Sequence, residues 1–324
     1  MTSLTTAPPG PGATPARPRR GARRSRTGPS RLEPWVYLLP AAAILIGLLG
    51  YPLYQLVVTS FYDYRQANVT GGAPLEFLGL GNYTQLLGDQ KFWTVLLNTT
   101  VFAAGCVVAT LALGSALAVL ATRVNRWVRS VLFLAALGAW ATPAMTGSAV
   151  WLFLFDPTLG LVNKTLVNIG LSGFAGHSWT AEKWPAFALV GAEVVWCSFP
   201  FVLVTVYAGI LAIPSELLEA ARLDGASMPR IARSIMVPML RPIIIIVTIQ
   251  SIIWDFKVFT QIYVMTNGGG IGGQNLVLNV YSYQQAFASN LYGLGSAIGV
   301  VMTLLLLAIT LVYLRLLRRS GEVL

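Results

Sequence analysis

Long apolar stretches recur along this chain near residues 36–60, 94–121, 130–155, 185–211, 243–265 and 291–314, separated by shorter segments that hold nearly all of its charge. At 1.5 Å of rise per residue each can cross a hydrocarbon core of about 30 Å as a helix. The pattern therefore predicts an all-α polytopic membrane protein with six transmembrane helices. Pro52 and Pro143 interrupt the first and third spans, and the fourth is the least regular, since it contains Pro200. Prolines are tolerated in membrane helices where neighbouring groups recover the freed carbonyls. The fourth span also contains Glu193, and the fifth contains Asp255 and Lys257.

Composition agrees with a bilayer as the solvent. Of 324 residues 55% are hydrophobic and only 10% charged, and the mean hydropathy is +0.67, far from soluble averages. Basic residues then orient the spans. Seven arginines precede the first span, Arg123, Arg126 and Arg129 lie between the second and third, Arg222, Arg230, Arg233 and Arg241 between the fourth and fifth, and Arg315, Arg318 and Arg319 after the sixth, so that seventeen of twenty-two basic residues fall on one side. Arg65, Lys91, Lys164 and Lys183 fall on the other. By the positive-inside rule both termini face the cytoplasm. The net charge of +10 flanks helices instead of forming one basic face, which favours the lipid bilayer and its anionic headgroups over nucleic acid as a partner.

Residues 1–34 form a Pro-, Gly- and Arg-rich stretch expected to be a disordered basic cytoplasmic tail. The competing reading is a cleaved signal peptide. The apolar run from Trp35 to Val58 is longer than a signal core and ends without a small-x-small site, so it is expected to stay as the first span. Residues 35–315 are expected to form a six-helix transmembrane domain, and 316–324 a cytoplasmic C-terminal tail. Cys106 and Cys197 lie in different spans and read as packed thiols. His177, the sole histidine, sits in an outer loop without a ligand cluster, and neither a metal site nor a catalytic site is expected. The glycines of 267–273 (NGGGIGG) lack the lysine of a phosphate-binding loop and read as a flexible turn. Any ATP and Mg are thus expected on another polypeptide, with no cofactor on this chain.

The most specialised segment is the inner loop 212–242. Pro214 closes the extension of the fourth span, Ser215 is placed to cap a helix over 216–223, and Asp224-Gly225 breaks it. Ser227 is placed to cap a second helix starting at Met228, with Pro229 in its first turn, that runs toward Pro238 and Pro242. Two readings stay open on pattern alone: a knob that transmits motion into the fourth and fifth spans, or an interfacial helix resting on lipid.

This segment resembles the EAA loop of the membrane subunits of binding-protein-dependent ABC importers, through Glu219-Ala220-Ala221, then Gly225 after three residues, then Ile235 and Pro238. The resemblance implies a type I ABC importer permease fold and a coupling helix seated in a cytoplasmic ATPase subunit. Glu219, Ala220, Ala221, Arg222, Asp224, Gly225 and Arg230 would make that contact. Tyr51-Pro52, Ser60-Phe61, the run 77–83 (FLGLGNY), Phe92-Trp93, Asn98-Thr99 and the stretch 254–270 are similar to the carbohydrate-uptake branch, and to its first-permease, maltose-transport-like type. Implied partners are a second homologous permease subunit, two ATPase subunits, an extracytoplasmic solute-binding protein and a carbohydrate, at a bacterial cytoplasmic membrane. Ala232 departs from the aromatic, and Thr260 from the acidic residue, that many relatives carry.

For the translocation pathway, Gln250, Trp254, Lys257 and Gln261 recur at intervals that place them on one side of the fifth helix, and Glu193, Trp196 and Pro200 share a side of the fourth. A lysine facing lipid is costly, about 3 kcal/mol on insertion scales, so a Glu193–Lys257 ion pair is expected. Trp254, Trp196, Tyr263 and Gln250 suit a carbohydrate, though tryptophans in membrane proteins are mostly interface anchors. Asp255 lies just off the stripe, and 281–285 (YSYQQ) reads as an outer gate or docking surface. The alternative to an ATP-driven permease is an ion-coupled secondary transporter, which would carry an inverted repeat; no such repeat is evident. A channel or a structural membrane protein does not account for the inner loop.

Overall fold

The computed structural model describes residues 33–319. The expected basic tail, save its last two residues, and the end of the C-terminal tail lie outside the described residues. Two units meet at Tyr51 and Pro52. The first contributes α1 (Glu33–Leu45) and a π-helical turn (Ile46–Gly50). Its large apolar side chains from Tyr37 to Leu49 are exposed, as expected of a helix whose surroundings are hydrocarbon.

The second unit begins in α2 (Tyr51–Thr59). It continues through β1 (Tyr62–Asp63), α3 (Gln66–Val69), β2 (Glu76–Phe77), α4 (Gly81–Gly88), α5 (Gln90–Ala121), α6 (Arg126–Ala141), α7 (Ala144–Leu154) and α8 (Leu161–Asn168). Then follow α9 (Lys183–Leu211), α10 (Ser215–Leu223), α11 (Met228–Ile231), α12 (Val237–Phe256), α13 (Thr260–Met265), α14 (Leu278–Tyr283) and α15 (Tyr292–Arg319). Among the described residues five helical stretches are long and apolar enough to cross a membrane, and α6 with α7 supplies a sixth if that pair is one broken span.

Two spans differ from their expected form. The third is bent by 104° between α6 and α7. Pro143 disfavours helical backbone in the residue before it, and Thr142 is extended, with φ −71° and ψ 123°. The fifth starts inside the inner loop and stops early. From Met228 the helix passes through a π-helical turn at Ala232–Met236 and past Pro238 and Pro242 to Phe256, so the second inner-loop helix is the root of the span and not a separate element. A wider turn just ahead of a proline relieves the clash of its ring with the preceding turn. At the far end Lys257 closes α12, and α13 starts a new helix.

α5 and α9 form the central pair. Gly114 makes their approach possible, since a Cβ there would lie 2.6 Å from Val202 Cβ and 3.0 Å from the Phe199 carbonyl oxygen. The apolar core is divided in two. The first cluster includes Phe92, Phe102, Val190, Val194, Val258, Ile262 and Leu276. The second includes Ala118, Val202, Leu203, Val206, Leu240 and Val247, with Leu218 of α10 packed against it.

Ahead of α4 and α5, the short antiparallel β1–β2 pair aligns Tyr62 with Phe77. Asn82 of α4 donates to the carbonyls of Ser60 and Tyr62, both at 2.9 Å. Asn98 of α5 donates to the carbonyls of Gln274 and Leu276, both at 3.1 Å, and Thr99 accepts from the Leu278 amide at 2.8 Å. These clamps give Asn82, Asn98 and Thr99 of the runs 77–83 and 98–99 a structural role.

Gly114→Val should lower the stability of the solubilised protein by about 1–3 kcal/mol, the usual cost of overpacking, read as a lower unfolding temperature. Gly138→Ala, inside α6 where a Cβ meets nothing within 4 Å, should not lower it and should raise it slightly.

Candidate functional site: a polar cleft between two apolar clusters

Along α9, Val194 belongs to the first apolar cluster and Val202 to the second. Along α12, Val247 belongs to the second, and Val258, just beyond its end, to the first. Between these levels lies a cleft of about 580 Å³ whose walls include Trp140, Cys197, Ser198, Trp254, Asp255, Lys257, Phe259, Gln261 and Asn279. The break after Phe256 is what builds it. Lys257 leaves the helix, its carbonyl accepts from Asn279 of α14 at 2.8 Å, and Phe259 and Gln261 are brought round to the opening.

Of the six residues expected along a pathway, Trp254, Lys257 and Gln261 line this cleft, whereas Gln250, Glu193 and Trp196 do not. Gln250 is half-buried on α12, and the Trp196 ring leans on Trp151 at 6.2 Å. The expected Glu193–Lys257 ion pair does not form. Among the described residues the only pair within 4 Å joins Arg65 to Asp63 on the outer loop. Glu193 is instead 0% exposed and accepts from the Ser148 hydroxyl, 3.0 Å from each carboxyl oxygen. Gly147 leaves room for it, since a Cβ there would sit 2.9 Å from Glu193 Oε1. This contact ties α7, the segment after the bend, to α9.

Asp255 is one of three exceptions to satisfied burial among the described residues, with Thr110 Oγ1 and Asn275 Oδ1, and the one that lines the cleft. It is 2% exposed, and its Oδ2 has no hydrogen-bond partner among the described residues. Burying such a group unpaired is costly. With Lys257 exposed nearby and unpaired, the cleft offers an acceptor and a cation to a polar molecule, between the faces of Trp140, Trp254 and Phe259. Nothing in the sequence pattern singled out Ser148, Ser198, Trp140, Phe259 or Asn279.

At the inner loop, α10 starts at Ser215 behind Pro214, and neither Ser215 nor Ser227 makes the side-chain cap expected of it. The end of α10 is built as expected around Gly225, at φ +75°. The Gly225 amide bonds the Arg222 carbonyl at 3.0 Å, and the Ala226 amide the Ala221 carbonyl at 2.9 Å, a Schellman closure that requires left-handed backbone at 225. Glu219, Ala220, Arg222, Asp224, Gly225 and Arg230 are all exposed, and Ala221 is half-buried. Leu223 is 89% exposed.

Among the described residues no three His, Cys, Asp or Glu side chains are placed to hold a metal ion, and Cys106 and Cys197 are both free thiols.

Residues 110–321 match the family of binding-protein-dependent transport system inner membrane components. The chain is 38% identical to the diacetylchitobiose uptake system permease protein DasB of Streptomyces coelicolor, across 94% of this chain and 91% of that protein. It is 34% identical to the sulfoquinovosyl glycerol transport system permease protein SmoG of Agrobacterium fabrum, across 89% and 91%. It is 31% identical to the trehalose/maltose transport system permease protein MalF of Thermococcus litoralis, across 87% and 92%. In fold it is similar to a chain of a bacterial ABC transporter involved in the import of alginate, with a TM-score of 0.75 and 18% identity over 88% of this chain and 94% of that one.

Ser148→Ala should lower stability by about 1–3 kcal/mol, the cost of leaving a buried acceptor unmade. In double-mutant cycles read by thermal unfolding, Glu193→Gln should couple to Ser148→Ala and should be additive with Lys257→Gln.

Proposed function

Because this chain belongs to the family of binding-protein-dependent transport system inner membrane components, we propose that its polar cleft passes a carbohydrate, delivered by an extracytoplasmic solute-binding protein, into the cytoplasm. The chain is a non-catalytic, multi-pass permease subunit of an ATP-driven importer in a bacterial inner membrane. A second permease subunit and two ATPase subunits complete the assembly, with ATP and Mg held on the ATPases. Both termini face the cytoplasm, which the distribution of arginines supports.

The observation that carries the solute assignment is the make-up of the cleft. Aromatic faces suit the C–H faces of a sugar ring. Asp255, buried without a partner, accepts hydroxyl protons, while Lys257, Gln261 and Asn279 donate to hydroxyl or amide oxygens. The names of the relatives, permeases for diacetylchitobiose and for trehalose or maltose, point to the same substrate class.

The exposed α10 supports the coupling role. Glu219, Ala220, Ala221, Arg222, Asp224, Gly225 and Arg230 form the surface offered to an ATPase subunit, with Ala220 and Gly225 permitting close approach. Leu218 ties α10 to the second apolar cluster, and α11 leads directly into α12. Closure of the ATPases would thus tilt α9 and α12 together and switch which face the cleft opens to.

Reconstituted uptake of maltose or diacetylchitobiose should stop when the catalytic glutamate of the ATPase is neutralised. Continued uptake would reverse the assignment in favour of ion-coupled transport. Asp255→Leu should cut uptake at least about tenfold without lowering the unfolding temperature, because it removes a buried unpaired group. Gly225→Trp, strained by the left-handed backbone, should lose the co-purifying ATPase while still inserting in the membrane. Normal co-purification together with normal transport would count against the docking surface.

A further inference from the structure

From the mouth of the cleft a row of aromatic rings leads outward. Phe259, which lines the cleft, contacts Tyr283 at 5.2 Å between centroids and stacks on Tyr263 at 5.2 Å. Tyr263 and Tyr283 meet at 5.4 Å. Tyr283 contacts Phe287 at 5.1 Å, Phe287 contacts Tyr292 at 6.1 Å, and Tyr292 contacts Tyr64 at 5.5 Å. Tyr64 lies beside the β1–β2 pair in the outer loop, so the row joins the outer face to the cleft without a gap.

Phe259, Tyr292 and Tyr64 at the two ends of the row are half-buried, and the three rings between them are open. Tyr263 is 38%, Tyr283 39% and Phe287 62% exposed. The phenol oxygens of Tyr263 and Tyr283 make no hydrogen bond among the described residues, whereas Gln284 beside them is engaged, donating to the Gly268 carbonyl at 2.6 Å. The Tyr292 hydroxyl donates to Gln66 Oε1, and one face of Tyr263 is covered by Phe259; the exposed parts of Tyr263, Tyr283 and Phe287, with two free hydroxyls among them, form a surface on which an amphipathic solute can step from one ring to the next.

The geometry points to Phe259, Tyr263, Tyr283, Phe287, Tyr292 and Tyr64 as an aromatic track that guides the solute between the outer face and the cleft. This inference rests on the reading of the solute as a carbohydrate. The track binds weakly at each ring. It speeds entry of solute released at low concentration and has no part in ATP hydrolysis.

The test uses the complete transporter, with its ATPase subunits and binding protein, in proteoliposomes, and maltose, trehalose and diacetylchitobiose as probes. Phe287→Leu and Tyr283→Leu keep apolar volume and remove the ring, while Tyr283→Phe keeps it. The leucine variants should lower initial uptake at sub-saturating sugar by about three- to tenfold, the scale of one aromatic contact, leaving saturated uptake, subunit co-purification and basal ATP hydrolysis unchanged. Tyr283→Phe should follow the wild type. Leucine variants that transport like the wild type, or that lose a subunit from the complex, would overturn the track and leave the carbohydrate reading standing. So would a phenylalanine variant as impaired as the leucine one. Failure of the wild type to take up any of the three sugars would overturn both.

Discussion

A peptide group inside hydrocarbon has no water to turn to, so wherever a membrane chain leaves the helix its freed donors and acceptors must be met by protein. The fold is organised by how it meets that demand. The chain departs from the helix at Thr142-Pro143, at Lys257–Phe259 and between α13 and α14, and polar side chains stand at these places. Asn279 holds the Lys257 carbonyl, Asn98 holds those of Gln274 and Leu276, Thr99 receives the Leu278 amide, and Thr142 donates to the Gly138 carbonyl at 2.8 Å. The cleft exists because one such break is tolerated: Lys257, Phe259 and Gln261 reach a common opening only because α12 stops.

Much of this was legible in the sequence because it is local or additive. Apolar runs and the Asp224-Gly225 stop each depend on a few neighbouring residues, and both have structural counterparts, in the span helices and in the left-handed Gly225. The bends were not legible. Pro143 ends a helix, while Pro200 is buried within α9, which runs unbroken to Leu211. The two prolines look alike in sequence, and the difference lies in what packs around them.

The regular spacing of Gln250, Trp254, Lys257 and Gln261 suggested one continuous face, yet the helix ends among them. The Glu193–Lys257 pairing failed for the same reason. Opposite charge indicates a partner only if the backbone brings the two together, and the group that satisfies Glu193 comes from α7, past a bend that periodicity does not reveal. The chain also keeps a costly feature in the wall of the cleft: Asp255 is buried with its Oδ2 unpaired.

The unbroken path from α11 through the π-helical turn into α12 has a mechanical consequence. Met228 to Phe256 makes a rod of about 43 Å at 1.5 Å per residue, beginning beside α10 and ending at the cleft. A tilt of about 5° at its base would displace the far tip by about 4 Å over that length, comparable to the thickness of a sugar ring. Small movements at the α10 end of the rod would thus arrive at the cleft enlarged.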